Sequence, residues 1–151
     1  MDLQLKWHKP LSLRDNSANN GIYTIDLDCL PDAPGIYIFL RVHGRTHEAL
    51  YVGKANSLCT RVPQQLNNVK LMKGIENAAN GSRKLAFAEF IAKKGQQQTR
   101  ALRAIERSLI RYYLALGDQL LNIQGTRIVK HTLASERTDL KKFIPQTIYF
   151  E

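Results

Sequence analysis

The sequence has few cysteines and no long apolar runs. Cys29 and Cys59 are the only two cysteines among 151 residues. They are too few for a disulfide scaffold and lack a C-x-x-C partner, so we expect two reduced thiols and no zinc site. No apolar run approaches the roughly 20 residues that a membrane-spanning helix needs. The opening segment MDLQLKWHKP carries charges where a signal peptide would be apolar. These absences predict a cytoplasmic protein with no membrane partner.

Acidic residues are also scarce. The chain has 22 lysines and arginines against 13 acidic residues, a formal net charge of +9. Residues 1–34 carry three basic and five acidic side chains, so residues 35–151 carry 19 basic and 8 acidic ones, a net +11. This excess favours a polyanionic partner, because basic side chains neutralise phosphates and release counterions. Ribosome-associated and membrane-surface proteins share this balance, so charge alone does not identify the partner.

The domain organisation follows from length and turn residues. A chain of this size favours one compact core. The first 34 residues end in LPDAPG, whose prolines and glycine mark a boundary. We therefore expect an N-terminal extension packed on the core (1–34), a core domain (35–125) and a C-terminal extension (126–151).

Three β-rich segments predict the sheet. Residues 35–42 and 49–55 flank a polar turn, which indicates a hairpin, and residues 84–92 predict a third strand. A helix is expected directly after residues 49–55. Asn56 or Ser57 would cap it, and Pro63 would either kink it or end its regular part. The predicted fold is α+β, with a small, mostly antiparallel three-stranded sheet flanked by helices.

The clearest helix is QQQTRALRAIERSLIRYYLAL, which Gly117 should end. At about 100° per residue, one side of this helix is an apolar stripe consisting of Leu102, Ile105, Leu109, Tyr113 and Leu116. The far side is an arginine stripe consisting of Arg100, Arg103, Arg107 and Arg111. The arginine stripe is either a solvated helix face or a surface that follows nucleic-acid phosphates.

Several motifs occur together in a recognisable order. PGIYIF at 34–39 is followed by LYVGKANSLCTR at 50–61, then by Glu106 in an E-x-x-L-I helix segment and Asn122 in LLNI. This combination resembles the GIY-YIG nuclease domain, most closely the version in the excision-repair incision subunit. The resemblance spans residues 34–123. It implies an endonuclease that hydrolyses phosphodiester bonds with one metal ion and a tyrosine-assisted water.

The resemblance assigns the metal to Glu106. A single glutamate can hold Mg²⁺, with Mn²⁺ able to substitute, because this hard ion keeps several waters and needs only one or two carboxylates. The alternative is a helix carboxylate paired with Arg103 or Arg107.

Two tyrosines and two cations complete the implied site. Tyr37 would be the general base or would orient the attacking water, with Tyr51 beside it if the hairpin register permits. A phenol of pKa about 10 is a poor base, so this role requires nearby cations such as Lys54 and Arg61. Arg61 would clamp the phosphate, and Lys54 would act as a point charge.

Other residues of the motif have supporting roles. Gly35 and Gly53 would allow close approach of the chain, and Asn122 would tie the loop after the metal helix to the site. The sequence departs from the family at Pro63, two residues after Arg61, and at Gln65, where some relatives carry histidine or tyrosine.

The implied partner is nucleic acid, with DNA favoured over RNA. A homodimer would be needed to break both strands at once. Two alternatives stay open: a catalytically inactive module that only binds nucleic acid, and an RNA-cleaving enzyme with the same residues.

Overall fold

A computed structural model describes residues 2–123, 131–134 and 147–150. Among these residues no helix is long and apolar enough to cross a membrane. The strands are β1 (Gln4–Trp7), β2 (Leu11–Ser12), β3 (Arg14–Asp15), β4 (Tyr23–Thr24), β5 (Gly35–His43), β6 (Thr46–Ala55), β7 (Ser82–Ile91), β8 (His131–Ala134) and β9 (Thr147–Phe150). The helices are α1 (Leu58–Leu66), α2 (Val69–Glu76) and α3 (Gln98–Ala115).

The main sheet is antiparallel and has the order β1-β7-β5-β6, with β2 also paired to β7. The α+β class and the β5–β6 hairpin are confirmed. The predicted number of strands was wrong, because the sheet has five strands and not three. The additional strands come from the first 34 residues and cover the outer edge of β7. They have only four and two residues, too few to show the alternation that identifies a strand in sequence.

The sheet separates two apolar cores because side chains alternate between its faces. On one face, Tyr37, Phe39 and Phe87 pack with residues of α1 and α2. On the other face, Ile36, Ile38, Val52 and Phe90 pack with α3. The α1/α2 face and the α3 face are therefore distinct environments, and a residue's position along a strand decides which one its side chain enters.

Helix α1 continues through Pro63, which does not end it. The helix begins after Ser57, whose hydroxyl donates to Asp32 Oδ1 at 2.7 Å and does not cap the helix. Pro63 lacks an N–H and so forfeits one helical hydrogen bond. The turn that carries Arg61 precedes the proline and remains helical.

Helix α3 ends where the sequence predicts, because Gly117 has a φ of 90°. The expected burial of Leu116 was wrong, since 60% of this residue is exposed. Ile110 and Leu114 are buried there in its place, so the contact face turns as α3 crosses the sheet. Helix α2 was not expected, although its buried Leu71, Met72 and Ile75 have helical spacing.

The predicted C-terminal extension, residues 126–151, lies outside the described residues except for β8 and β9. These two strands pair antiparallel with each other. The segment IPQTIYF at 144–150 predicts a terminal strand from its sequence, and β9 confirms a strand over Thr147–Phe150.

Candidate functional site

The hairpin register places Tyr37 and Tyr51 on the α1/α2 face. Tyr37 lies opposite Gly53, and Phe39 lies opposite Tyr51. The two tyrosine rings are stacked, with centroids 6.2 Å apart and planes inclined by 26°. The hairpin register therefore places Tyr37 and Tyr51 side by side, which the predicted site requires.

Gln65 of α1 joins the two hydroxyls. Its Nε2 donates to the hydroxyl oxygen of Tyr37 at 2.7 Å and to that of Tyr51 at 3.4 Å. Only 3% of Gln65 is exposed. Gln65 lies three residues after Val62 and seven after Leu58, both buried, so helical spacing puts it on the inner face of α1. That spacing was a usable signal for its burial.

Burial keeps the Tyr37 phenol protonated. Only 1% of the residue is exposed, and desolvation raises its pKa to about 12, with a smaller contribution in the same direction from Tyr51. The hydrogen bond from Gln65 and the charge and hydrogen bond of Arg61 lower the pKa. Arg61 favours the phenolate, as the role of a base requires, but desolvation outweighs it and the net shift of the Tyr37 pKa is upward.

Two glycines allow close packing at this site. A Cβ at Gly53 would overlap Cζ and the hydroxyl of Tyr37. A Cβ at Gly35 would overlap the Ala88 carbonyl oxygen and crowd Leu58. Gly53 thus lets the tyrosine ring lie directly on the neighbouring strand, and its absent side chain determines where the Tyr37 hydroxyl sits.

Lys54 lies between two residues of the α1/α2 face and points to the α3 face. Its Nζ is 3.1 Å from Glu106 Oε2. The side chains are 40% and 19% exposed, respectively. Glu106 therefore pairs with Lys54 and not with Arg103 or Arg107.

A groove of about 310 Å³ lies where β6 ends, between α1 and α3. It is lined by Lys54, Ala55, Asn56, Arg61, Thr99 and Leu102. Lys54 and Arg61 thus face the same groove. They can do so because Arg61 lies on α1, the helix that follows β6. Tyr37 and Tyr51 are not among these lining residues. Arg61 Nη1 donates to Gln64 Oε1 at 3.3 Å on the exposed side of α1.

The arginine stripe begins next to this groove. Arg103 lies one turn from Thr99 and one turn from Glu106 on α3. Arg100, Arg103, Arg107 and Arg111 are all exposed. A polyanion that bound in the groove and extended along α3 would therefore contact the arginine stripe.

Asn122 fastens the segment after α3 to the edge of the sheet. Its Oδ1 accepts from Val52 N at 2.9 Å and its Nδ2 donates to Val52 O at 2.7 Å. Asp118 accepts in a similar way from Ala49 N at 2.9 Å. Strand β6 is the outer strand of the sheet, so these side chains satisfy backbone groups at its edge. The edge is held between the positions of Tyr51 and Gly53.

The side chains beside the groove offer Mg²⁺ a single carboxylate ligand. Among the described residues, no group of three or more histidine, cysteine, aspartate or glutamate side chains could hold a metal ion. Mg²⁺ requires only one or two carboxylates when phosphate oxygens and waters complete its shell. Glu106 is the carboxylate that would hold it, after separation from Lys54.

In comparisons with known proteins, no family model, no curated protein and no solved structure matches the chain.

Sequence reasoning missed several residues at the site. Asn56 and Thr99 line the groove, and Gln98 Nε2 donates to Asn56 Oδ1 at 3.3 Å beside it. No sequence pattern marked these polar residues as part of a site, because the loop after β6 and the start of α3 come together only in the folded chain. Asp118 was missed for the same reason.

Proposed function

We propose that this protein is a Mg²⁺-dependent endonuclease of the GIY-YIG type that hydrolyses phosphodiester bonds in nucleic acid, with DNA favoured. One observation carries the proposal. Lys54 and Arg61 lie far from Glu106 in the sequence, yet the two cations line one groove and Glu106 pairs with Lys54 at 3.1 Å. Two cations and one carboxylate at a groove suit a phosphate better than a neutral ligand.

The cations would bind and orient the substrate. Arg61 presents a planar guanidinium that can donate two hydrogen bonds to one phosphate. Lys54 would leave Glu106 for a phosphate oxygen, where its charge opposes the negative charge that develops in the transition state. The arginine stripe would hold the neighbouring phosphates without reading bases.

The hydrolysis requires an attacking water on the phosphorus and a departing 3′ oxygen. Glu106 would hold Mg²⁺, or Mn²⁺ in its place, and the ion when bound supplies Lewis-acid stabilisation of phosphate charge. Tyr51 does not line the groove but is only half-buried, and its hydroxyl would orient the water at the edge of the bound phosphate. The P–O bond to the 3′ oxygen breaks as the water oxygen bonds to phosphorus, which leaves a 5′ phosphate.

A direct assay tests the proposal. Purified protein is incubated with labelled single-stranded DNA, duplex DNA and RNA, each with Mg²⁺ and with EDTA. We expect cleavage of DNA with Mg²⁺ only, and 5′ phosphate ends. The matched control is Glu106→Gln, which keeps the side-chain shape and removes the charge. Equal cleavage by wild type and Glu106→Gln would remove this groove from the reaction.

The Lys54–Glu106 ion pair favours a second candidate, a module that binds nucleic acid without cutting it. A lysine 3.1 Å from the carboxylate supplies the positive charge that a metal would otherwise bring. Binding in EDTA without cleavage in Mg²⁺ or Mn²⁺ would identify this function. Cleavage of RNA alone would identify the RNA-cleaving alternative. Because one groove cuts one strand at a time, simultaneous double-strand breaks would require a homodimer.

A further inference from the structure

The two cations of the groove have different partners. Arg61 Nη1 donates to the uncharged amide of Gln64 at 3.3 Å. Lys54 Nζ is 3.1 Å from Glu106 Oε2, so a carboxylate already balances its charge. Arg61 can therefore bind a phosphate directly, whereas Lys54 must first give up a partner of opposite charge.

Glu106 has one carboxylate to offer, either to Lys54 or to a metal ion. The ammonium group of Lys54 lies at hydrogen-bond distance from this carboxylate. A divalent cation held by the same carboxylate would stand next to that ammonium group, and like charges at such short range repel each other. Lys54 and the metal ion therefore compete for Glu106.

The exposure of the pair shows which partner can move. The Lys54 side chain is 40% exposed and lines the groove, whereas the Glu106 side chain is 19% exposed. Lysine carries its charge at the end of a flexible four-carbon stem. Ion pairs that keep contact with water are weak enough to be exchanged. A phosphate in the groove would offer Lys54 a second anion within reach and leave Glu106 free.

We propose that Lys54 occupies Glu106 in the free protein and releases it when a phosphate enters the groove, so that nucleic acid and a divalent metal ion bind cooperatively. This inference rests on the proposed function for its two ligands. Because coupling between two binding sites is reciprocal, the metal ion strengthens nucleic-acid binding by the same factor as nucleic acid strengthens metal binding. Without nucleic acid, the protein binds the metal ion weakly.

Metal binding in the absence of nucleic acid tests the competition. Mn²⁺ is titrated into the protein, and the free ion is counted from its electron paramagnetic resonance signal. We expect Lys54→Met to bind Mn²⁺ about fivefold or more tightly than wild type, because the carboxylate has lost its competing partner. We expect Glu106→Gln to lose this Mn²⁺ site.

A matched variant separates competition from net charge. Lys70→Met also removes one positive charge, but Lys70 is exposed on α2, across the sheet from Glu106. We expect Lys70→Met to bind Mn²⁺ with the affinity of wild type. Equal affinities of Lys54→Met and Lys70→Met for Mn²⁺ would overturn the proposal.

A second titration tests the release of Glu106 by phosphate. Mn²⁺ binding is measured again with a saturating phosphorothioate DNA oligonucleotide, whose integrity is checked on a gel, and binding to the oligonucleotide alone is subtracted. Phosphate oxygens can coordinate the ion in both proteins, but only the wild type has a lysine to release. The oligonucleotide should therefore strengthen Mn²⁺ binding more in wild type than in Lys54→Met. The excess should equal the factor that Lys54→Met gains with metal alone, and equal strengthening in both proteins would contradict the inference.

These readouts separate this inference from the proposed function. If Mn²⁺ and oligonucleotide bind with the expected coupling but no nucleic acid is cut, the proposed enzyme activity fails and the role of Lys54 stands. If nucleic acid is cut while Lys54→Met and Lys70→Met bind Mn²⁺ alike, the nuclease stands and this inference fails. If neither wild type nor Lys54→Met binds Mn²⁺, both fail.

Discussion

The two faces of the sheet treat polar groups differently. On the α1/α2 face, Tyr37 and Gln65 are uncharged, buried and bonded to each other. On the α3 face, Lys54 and Glu106 are charged and remain partly exposed. Buried neutral groups keep their partners, whereas charges that retain contact with water can exchange one charged partner for another. The first face therefore suits positioning, and the second suits binding of an anion and a cation.

The largest difference between the faces should come from Glu106. We expect Glu106→Ala to abolish cleavage, by at least about a thousandfold for loss of the metal ligand. Unfolding temperature should change little and binding in EDTA should persist, because the side chain pairs with Lys54 beside the groove and belongs to neither apolar core. A normal cutting rate would remove Glu106 from the mechanism, and failure to fold would make it structural.

The second-largest effect should come from Tyr37 and tests the α1/α2 face. Tyr37→Phe removes the acceptor of the hydrogen bond that buried Gln65 Nε2 donates at 2.7 Å, which corresponds to about 1–3 kcal/mol, or roughly a fivefold to hundredfold loss in rate. Because burial raises the pKa of Tyr37 to about 12, the pH-rate profiles of variant and wild type should run parallel below about pH 11. A rise with pH that only the wild type shows would identify a phenolate base.

The same pKa has a consequence for stability. The folded-state pKa lies above the ordinary value of 10.0, so the folded protein retains a proton that the unfolded chain loses between about pH 10 and 12. Stability from this group is complete below pH 10 and falls as pH rises to about 12. The full change is on the order of 3 kcal/mol. Denaturant unfolding across this range should show a smaller decline for Tyr37→Phe than for wild type.

Gly53 joins the two faces, because it supports the Tyr37 ring and precedes Lys54. We expect Gly53→Ala to destabilise the protein by about 1–3 kcal/mol, since the added methyl group overlaps the ring. Gly44→Asn is the control, because Gly44 has a φ of 59°, which asparagine tolerates, and open space for a side chain. Equal unfolding midpoints in urea for the two variants would show that the ring moves freely.

The smallest effect should come from the arginine stripe. Replacing Arg103 and Arg107 together by glutamine should weaken binding equally for all sequences and lower the salt slope by roughly one to two units. Cleavage at saturating substrate should persist. The check is binding across a salt series, and an unchanged slope would make the stripe a solvated helix face.

Much of the scaffold was predictable from local patterns. β-rich segments on both sides of a polar turn identified β5 and β6, and a third β-rich segment identified β7. Helical spacing with Gly117 identified α3 and its end. Helix α2 and the strands β1 and β2 escaped prediction, because about two helical turns, and strands of four and two residues, carry too little periodicity. The burial of Leu116 was mispredicted, because packing on a twisted sheet, and not the helix alone, selects the inner face.

The candidate site, like the scaffold, has features that the sequence predicts and features that it does not. The sequence by itself determined which side chains were available: two tyrosines on one hairpin, a lysine and an arginine after it, and a glutamate on a helix. Only the tertiary structure decided their environments. Desolvation set the direction of the Tyr37 pKa, Gln65 became the partner of both hydroxyls, and Glu106 paired with Lys54 and not with its helix neighbours. The physical reason is that solvation and long-range partners depend on which elements pack together, and no local pattern contains that information.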